Sequence, residues 1–484
     1  MTWTGSAAQS LERPGAVLDL AGATITPAFV DAHVHATATG LLVDGLDLTG
    51  CPSPRALLDA VAARAAARPG ALVWGHGWQE LDWPGPAPDR AALDRAAAGA
   101  PVYLSRVDVH SALVSSALLE RAPAAVGARG WSSGPLSTQA HHHARRAALA
   151  AVDARTREAA QRAFLADTAT RGVGVVHECA GPDISSVADL AALLALAGEL
   201  GPDVVGYWGQ AVRTADEARE LLAATGARGL AGDLFVDGSL GSRTAALRAP
   251  YADEPTHAGH RYLDPDAIAA HVAACTLAGV QAGFHVIGDA AADAALAGLG
   301  DAARRTTARA HPAHRIEHLE MLDPAQAAEL AALGVVASVQ PLFDACWGGP
   351  TGMYAERLGP DRAAGMNPYA RLHAAGVVLA LGSDAPVTPV GPWEAVRAAV
   401  AHRTPSSGLT AAQALTAHTV GGHRAAGDRT PTAGRLVAGA PASYAVWDGT
   451  DPLGGAPGTP RCLRTVQRGR LLHDTLSDTP GSAG

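Results

Sequence analysis

ITPAFVDAHVH, residues 25–35, is a short apolar run with a proline at its entry and two histidines, two residues apart, at its exit. A run of this kind reads as a strand buried on both faces. Successive strand side chains alternate between faces, so His33 and His35 point to the same side and can meet one ion. Seven more runs follow: 172–179 (GVGVVHEC), 204–210 (VVGYWGQ), 233–239 (DLFVDGS), 280–287 (VQAGFHVI), 315–320 (RIEHLE), 334–341 (GVVASVQP) and 377–384 (VVLALGSD). From about residue 172, Ala-rich stretches of helical period separate them, the pattern of βα units around a parallel sheet. Eight such strands predict an α/β fold, a (β/α)8 TIM-like barrel over residues 27–425.

A long segment, residues 40–171, interrupts the barrel after its first strand and is expected to roof a pocket on the rim. Residues 1–26 and 426–473 read as short strands with Gly turns, which pair into a small β-sandwich domain contributed by both termini. Residues 474–484 form a Ser/Thr/Gly/Pro tail. His141, His142 and His143 sit in a polar, Arg-rich context and are expected at a solvated helix start rather than at a metal.

The chain has 484 residues, 48% hydrophobic and 17% charged, a balance that excludes disorder. No apolar stretch approaches the roughly 20 residues of a membrane helix. With a net charge of -9 and no basic block, nucleic acid is excluded as a partner and a small molecule is favoured; a homo-oligomer stays open. All 37 residues counted as Lys+Arg are Arg. The five cysteines form no CxxC pair and the start lacks a leader pattern, so a cytoplasmic protein with free thiols is expected.

Catalysis on a barrel belongs to the carboxyl ends of its strands, and polar residues gather there. The candidates are His33 and His35, Asp233 and Asp237, His285, His318, and Ser383 with Asp384. Imidazole and carboxylate donors suit Zn, Fe, Mn or Ni better than Mg or Ca. Gly288 and Asp289 read as a turn and a helix start. Trp78, His110, Arg243 and Gln340 are candidate substrate contacts.

The segments TPAFVDAHVH, FVDGSLGSRTA, FHVIGDAA, RIEHLE, SVQP and LGSDAPV, with WGHGWQELDW and LSRVDVHSALVSS in the insertion, resemble the amidohydrolase superfamily, in detail its YtcJ-like branch of amidohydrolase 3 type. The resemblance implies a metal-dependent barrel with a terminal β-sandwich, hydrolysing non-peptide C–N bonds by metal-activated water. It makes His33, His35, His285, His318 and Asp384 the metal and catalytic set, with Asp384 as general base and His318 as ligand or polarising group. Many relatives carry a carboxylated Lys on the fourth strand, and the matching residue here is Asp233. Being shorter, Asp233 bridges two ions only if the strand moves inward or a water fills the gap. One divalent ion, zinc foremost, is therefore favoured over two. The opening MTWTGSAAQ resembles the last strand of the family's N-terminal segment, so a start assigned too far downstream is expected. A metal-assisted isomerase or lyase on the same ligands, and a catalytically silent binding barrel, are the alternatives.

Overall fold

Eight strands, each parallel to its neighbours, follow one another in chain order around one sheet: Phe29–Val34, Val173–Ala180, Asp203–Trp208, Gly229–Leu230, Gln281–Val286, Arg315–His318, Val336–Val339 and Val378–Leu381. The computed structural model describes residues 1, 19–20, 22–306, 313–449 and 459–476. The first and eighth strands meet through a parallel bridge between Val34 and Ala385. Asp384 N donates to His33 O and His35 N to Ala385 O, both at 2.8 Å, so the seam of the barrel lies where two of the predicted histidines sit.

The intervening helices begin and end where local chemistry dictates. Ser186 caps Val187–Ala197, Thr214 and Glu217 form a reciprocal cap on Ala215–Thr225, and Asp323 with Gln326 does the same for Pro324–Ala332. Gly226 and Gly279, both at positive φ, close the helices Ala215–Thr225 and Pro265–Ala278. Gly288 and Asp289 open Asp289–Arg305, as their spacing predicts. Fully buried Phe29, Val176, Leu230, Phe284 and Leu381 join the helices' apolar faces in one core.

Five of the eight predicted runs contain the hydrogen-bonded strand, two more, 172–179 and 204–210, overlap all but one of its residues, and the fourth misses it. Its ladder is Gly229–Leu230, upstream of 233–239. Gly232 lies at φ +79° and its carbonyl accepts from Leu234 N at 2.9 Å, a tight turn that breaks the strand. Beyond it the chain rejoins the sheet through a single bridge, Phe235 to His285. The turn carries Asp233 at its apex.

The insertion folds as a unit of its own. Its five-stranded sheet combines Leu46–Asp47, Val73–Trp78 and Val102–Arg106 in parallel with antiparallel Ser111–Val114 and Leu136–Ser137. One face packs on Leu57, Val61, Trp83 and Leu93, the other on Leu118, Ala140 and Ala144. The histidine triplet does begin a helix, Thr138–Ala150, but the expectation of a solvated face is corrected. His141 and His142 are buried, because they fall on the stripe with Ala140, Ala144 and Ala148 that packs inward. His141 Nε2 meets the Tyr103 hydroxyl at 2.9 Å, and His142 stacks on Tyr262.

Among the described residues, the two ends of the chain contribute one antiparallel sheet, ordered Thr24–Pro27, Tyr444–Trp447, Cys462–Gln467, Arg470–Asp474. Residues 2–18, which bear on the expected early strands, and the tail from 477 lie outside the described residues. Trp447 anchors the sheet to the barrel, edge-on to Phe29 and Trp393 at 5.7 and 5.6 Å. No described helix is long and apolar enough to cross a membrane.

Gly172, at φ +74°, presses its Cα against this tryptophan: a Cβ there would lie 2.3 Å from the Trp447 ring. Gly172→Ala combines left-handed strain with overpacking, so it is expected to cost about 2–4 kcal/mol. The urea midpoint of the variant measures this; an unchanged midpoint would show that the sheet is not held through this contact.

Candidate metal centre

Six buried side chains from five strand ends converge at the carboxyl mouth of the barrel. Asp233 lies at the centre. Its Oδ1 is 3.5 Å from His33 Nε2, 3.4 Å from His285 Nδ1 and 3.8 Å from His318 Nε2, and its Oδ2 is 3.2 Å from His35 Nε2. Asp384 Oδ1 approaches His33 Nε2 at 3.4 Å and His35 Nε2 at 3.1 Å. The inward shift that Asp233 needs, if it is to reach both sides, comes from the Gly232 turn. It also needs Gly209, just past the third strand, where a Cβ would lie 2.7 Å from the Asp233 carbonyl.

The facing atoms have nothing else to bond. His33 Nε2, His35 Nε2, His285 Nδ1, His318 Nε2, Asp233 Oδ1 and Asp384 Oδ1 are all buried without a hydrogen-bond partner. Buried polar atoms are rarely left so, and six at mutual distances of a few ångströms mark a place for a cation. Donor groups fall into overlapping sets: His33, His35 and Asp233; His33, His318 and Asp384; Asp233, His285 and His318.

Partners behind three imidazoles turn the free nitrogens inward. His33 Nδ1 donates to Glu317 Oε2 at 3.0 Å, His318 Nδ1 to Gln340 Oε1 at 2.9 Å, and His285 Nε2 to Gly238 O at 3.3 Å. Glu317 is itself gripped by Arg315, at 2.5 and 2.8 Å; against the cost of burial, this guanidinium and His33 hold its carboxyl well below the usual range. Asp31 bonds Ser383 N at 2.8 Å and locks the first strand to the eighth. His318 and Asp384 lie at φ +74° and +56°, conformations that L residues adopt only where the surroundings impose them.

A cavity opens beside the cluster. His110, Ser239, Glu320 and Tyr354 supply its polar lining and Ile287, Phe343, Trp347, Met353 and Val387 its apolar walls. Asp108 ties the insertion to this rim: Ser239 Oγ and Ser242 Oγ donate to it at 2.6 and 2.7 Å, and Arg106 pairs with it at 3.1 Å.

Of the four residues expected to touch substrate, His110 alone lines the cavity, its ring 5.0 Å from that of His285. Trp78 is corrected: it is sealed in the insertion's core, donating to Leu104 O at 2.9 Å and stacked on Trp83. Arg243 is turned away to pair with Asp253 at 2.7 Å. Gln340 orients His318 instead of reaching the cavity. Asp237 is a clasp, accepting from Ala246, Ile287 and Gly288 N–H at 2.8–3.0 Å. The reading overlooked Glu317, Glu320, Asp31 and Asp108. Arg315 and Glu317, two apart in a buried strand, were the visible signal for the first, since charges enter a core only as pairs.

With this geometry in place, the comparisons with known proteins agree. The profile of the amidohydrolase family matches residues 16–473, and the chain belongs to that family. It is 27% identical to the amidohydrolase YtcJ of Bacillus subtilis (strain 168), over 80% of this chain and 75% of that one. It is 25% identical to the N-substituted formamide deformylase of Arthrobacter pascens, over 97% and 91% of the two chains. The crystal structure of an uncharacterized metal-dependent hydrolase from Pyrococcus furiosus superposes with a TM-score of 0.71 at 26% identity, covering 94% of both chains.

Burial opposes a proton on His35, but hydrogen bonds and charge from Asp233 and Asp384 outweigh it and push the imidazole up to about 9. A folded-state value above the unfolded value of about 6.5 gives stability that is complete below pH 6.5 and lost as pH rises through 9. Metal-free protein is therefore expected to lose thermal stability between about pH 7 and 9, whereas a divalent metal, which replaces the proton, should restore it most at the alkaline end. Melting curves with chelator and with zinc across that range test the sign; a metal increment that shrinks with rising pH would contradict it.

Proposed function

We propose that the chain is a metal-dependent amidohydrolase that cleaves a non-peptide C–N bond of a small amide, formamide or cyclic amide. The observation that carries this reading is the set of six unpartnered nitrogen and oxygen atoms centred on Asp233, at the edge of a cavity with apolar walls. Two divalent ions are proposed where the sequence favoured one. His33, His35 and Asp384 would hold one and His285 with His318 the other, with Asp233 shared, since its position between both histidine pairs removes the objection that an aspartate is too short. Zinc is the first metal to test, on the chemistry of the donors.

A metal held there supplies a Lewis acid and lets water ionise near neutral pH. Asp384, at the seam and within 3.1 Å of His35, is the general base that takes the proton of the attacking water and delivers it to the departing nitrogen. His110, which burial pushes down to about 3, is a neutral imidazole able to donate a hydrogen bond to the oxygen on which charge develops. The apolar walls hold the acyl or aryl body. A relative named for formamide deformylation supports starting with N-substituted formamides.

Asp384→Asn is expected to lower kcat on the responsive substrate by about 10³-fold or more while metal content stays near that of the parent. Asp233→Ala is expected to cut the metal bound per chain from two ions to one or fewer. Elemental analysis alongside amine-release assays reads both. Undiminished turnover in Asp384→Asn would remove it as the base, and one ion per parent chain would return the centre to a single metal.

A further inference from the structure

Hydrolysis of an amide makes no use of one polar feature in the same cavity. Glu320 is 3% exposed, lines the cavity, and its Oε2 has no hydrogen-bond partner. It follows His318 by two residues, and consecutive positive φ angles at His318 and Leu319, +74° and +49°, bend the chain so that His318 and Glu320 both face this space. Tyr354 lines it as well, with its hydroxyl turned towards the Glu320 carboxyl. Around them the walls are Phe343, Trp347 and Met353. A buried carboxyl group in apolar surroundings is costly while one of its oxygens lacks a donor.

The cavity's charge is one-sided. No arginine lines it and the chain has no lysine. Arg106, the guanidinium behind the rim, is already taken by Glu80 at 2.9 Å and Asp108 at 3.1 Å. A carboxylate on the body of a ligand would find no counter-charge among these walls, whereas an N–H donor would find two acceptors.

Resting on the hydrolytic reading above, we infer that the substrate is a small amide carrying a second nitrogen donor, an amine or ammonium group, which Glu320 and Tyr354 receive while its aryl or alkyl body lies on Phe343, Trp347 and Met353. Carboxylate-bearing amides of the same shape are rejected.

Three formanilides of matched shape test this on metal-loaded protein, with aminomethyl, methyl or carboxylate in the para position. The expected order of kcat/KM is aminomethyl, methyl, carboxylate, with about tenfold or more between the first two, the discrimination of a hydrogen bond to a charged group. In Glu320→Gln the aminomethyl-to-methyl ratio should fall to about threefold or less, and Tyr354→Phe should reduce it in the same direction. An identical ratio in parent and Glu320→Gln, or the carboxylate as best substrate, overturns the inference. If Glu320→Gln fails to fold by melting curve, the ratio in Tyr354→Phe decides instead. If no formanilide is hydrolysed, the hydrolytic reading loses its support, and calorimetric titration with 4-(aminomethyl)aniline and 4-toluidine decides this inference separately. Tighter binding of the diamine, lost in Glu320→Gln, upholds it; equal binding overturns it.

Discussion

Two carboxylates and four imidazoles, crowded at 3.1–3.8 Å in a mouth with almost no exposure, form an arrangement that charge alone would push apart. Either protons or a cation must sit among them, because buried ionised groups without compensation are among the most expensive features a protein can carry. Much of the surrounding architecture exists to maintain that crowding. Arg315 neutralises Glu317, Glu317 orients His33, Gln340 orients His318, and Asp31 staples the seam so that Asp384 cannot drift from His35. Each of these supports is a buried polar group that holds a definite partner.

The absence of lysine makes the fourth strand the most informative part of the barrel. A carboxylate has to reach the centre without a long side chain, and the backbone moves instead. Gly232 takes a left-handed turn, the ladder stops at Leu230, and Gly209 leaves room for Asp233 to come close. Extra reach has been transferred from side-chain length to main-chain course.

This explains what was legible in the sequence and what was not. The barrel could be read because its strands are continuous apolar runs at regular spacing, and His33, His35, His285, His318 and Asp384 because period-two geometry and strand ends locate them. The break at Gly232 was hidden, since DLFVDGS has the composition of a strand and only its contact with Gly209 reveals the kink. Trp78 and His141 were misjudged for a related reason. Aromatic and imidazole rings serve equally in cavities, cores and surfaces, and which one they occupy depends on a sheet inside the insertion that residue types alone did not disclose. Glu320 escaped notice because two positive φ angles redirect it, and such angles in ordinary residues have no local signature.

The roof is built apart from the cradle beneath it. Its sheet has hydrophobic packing on both faces, and it reaches the cavity through Asp108 and His110, with the Asp108–Ser239 contact as its clamp on the rim. Besides this clamp, His76 Nε2 meets Pro386 O at 2.9 Å just past the barrel seam, so the canopy joins the barrel at a few definite points. Such a division of labour gives the scaffold evolvability: chemistry is conserved by the closed ring of strands, while the repertoire of molecules admitted can drift with the canopy above.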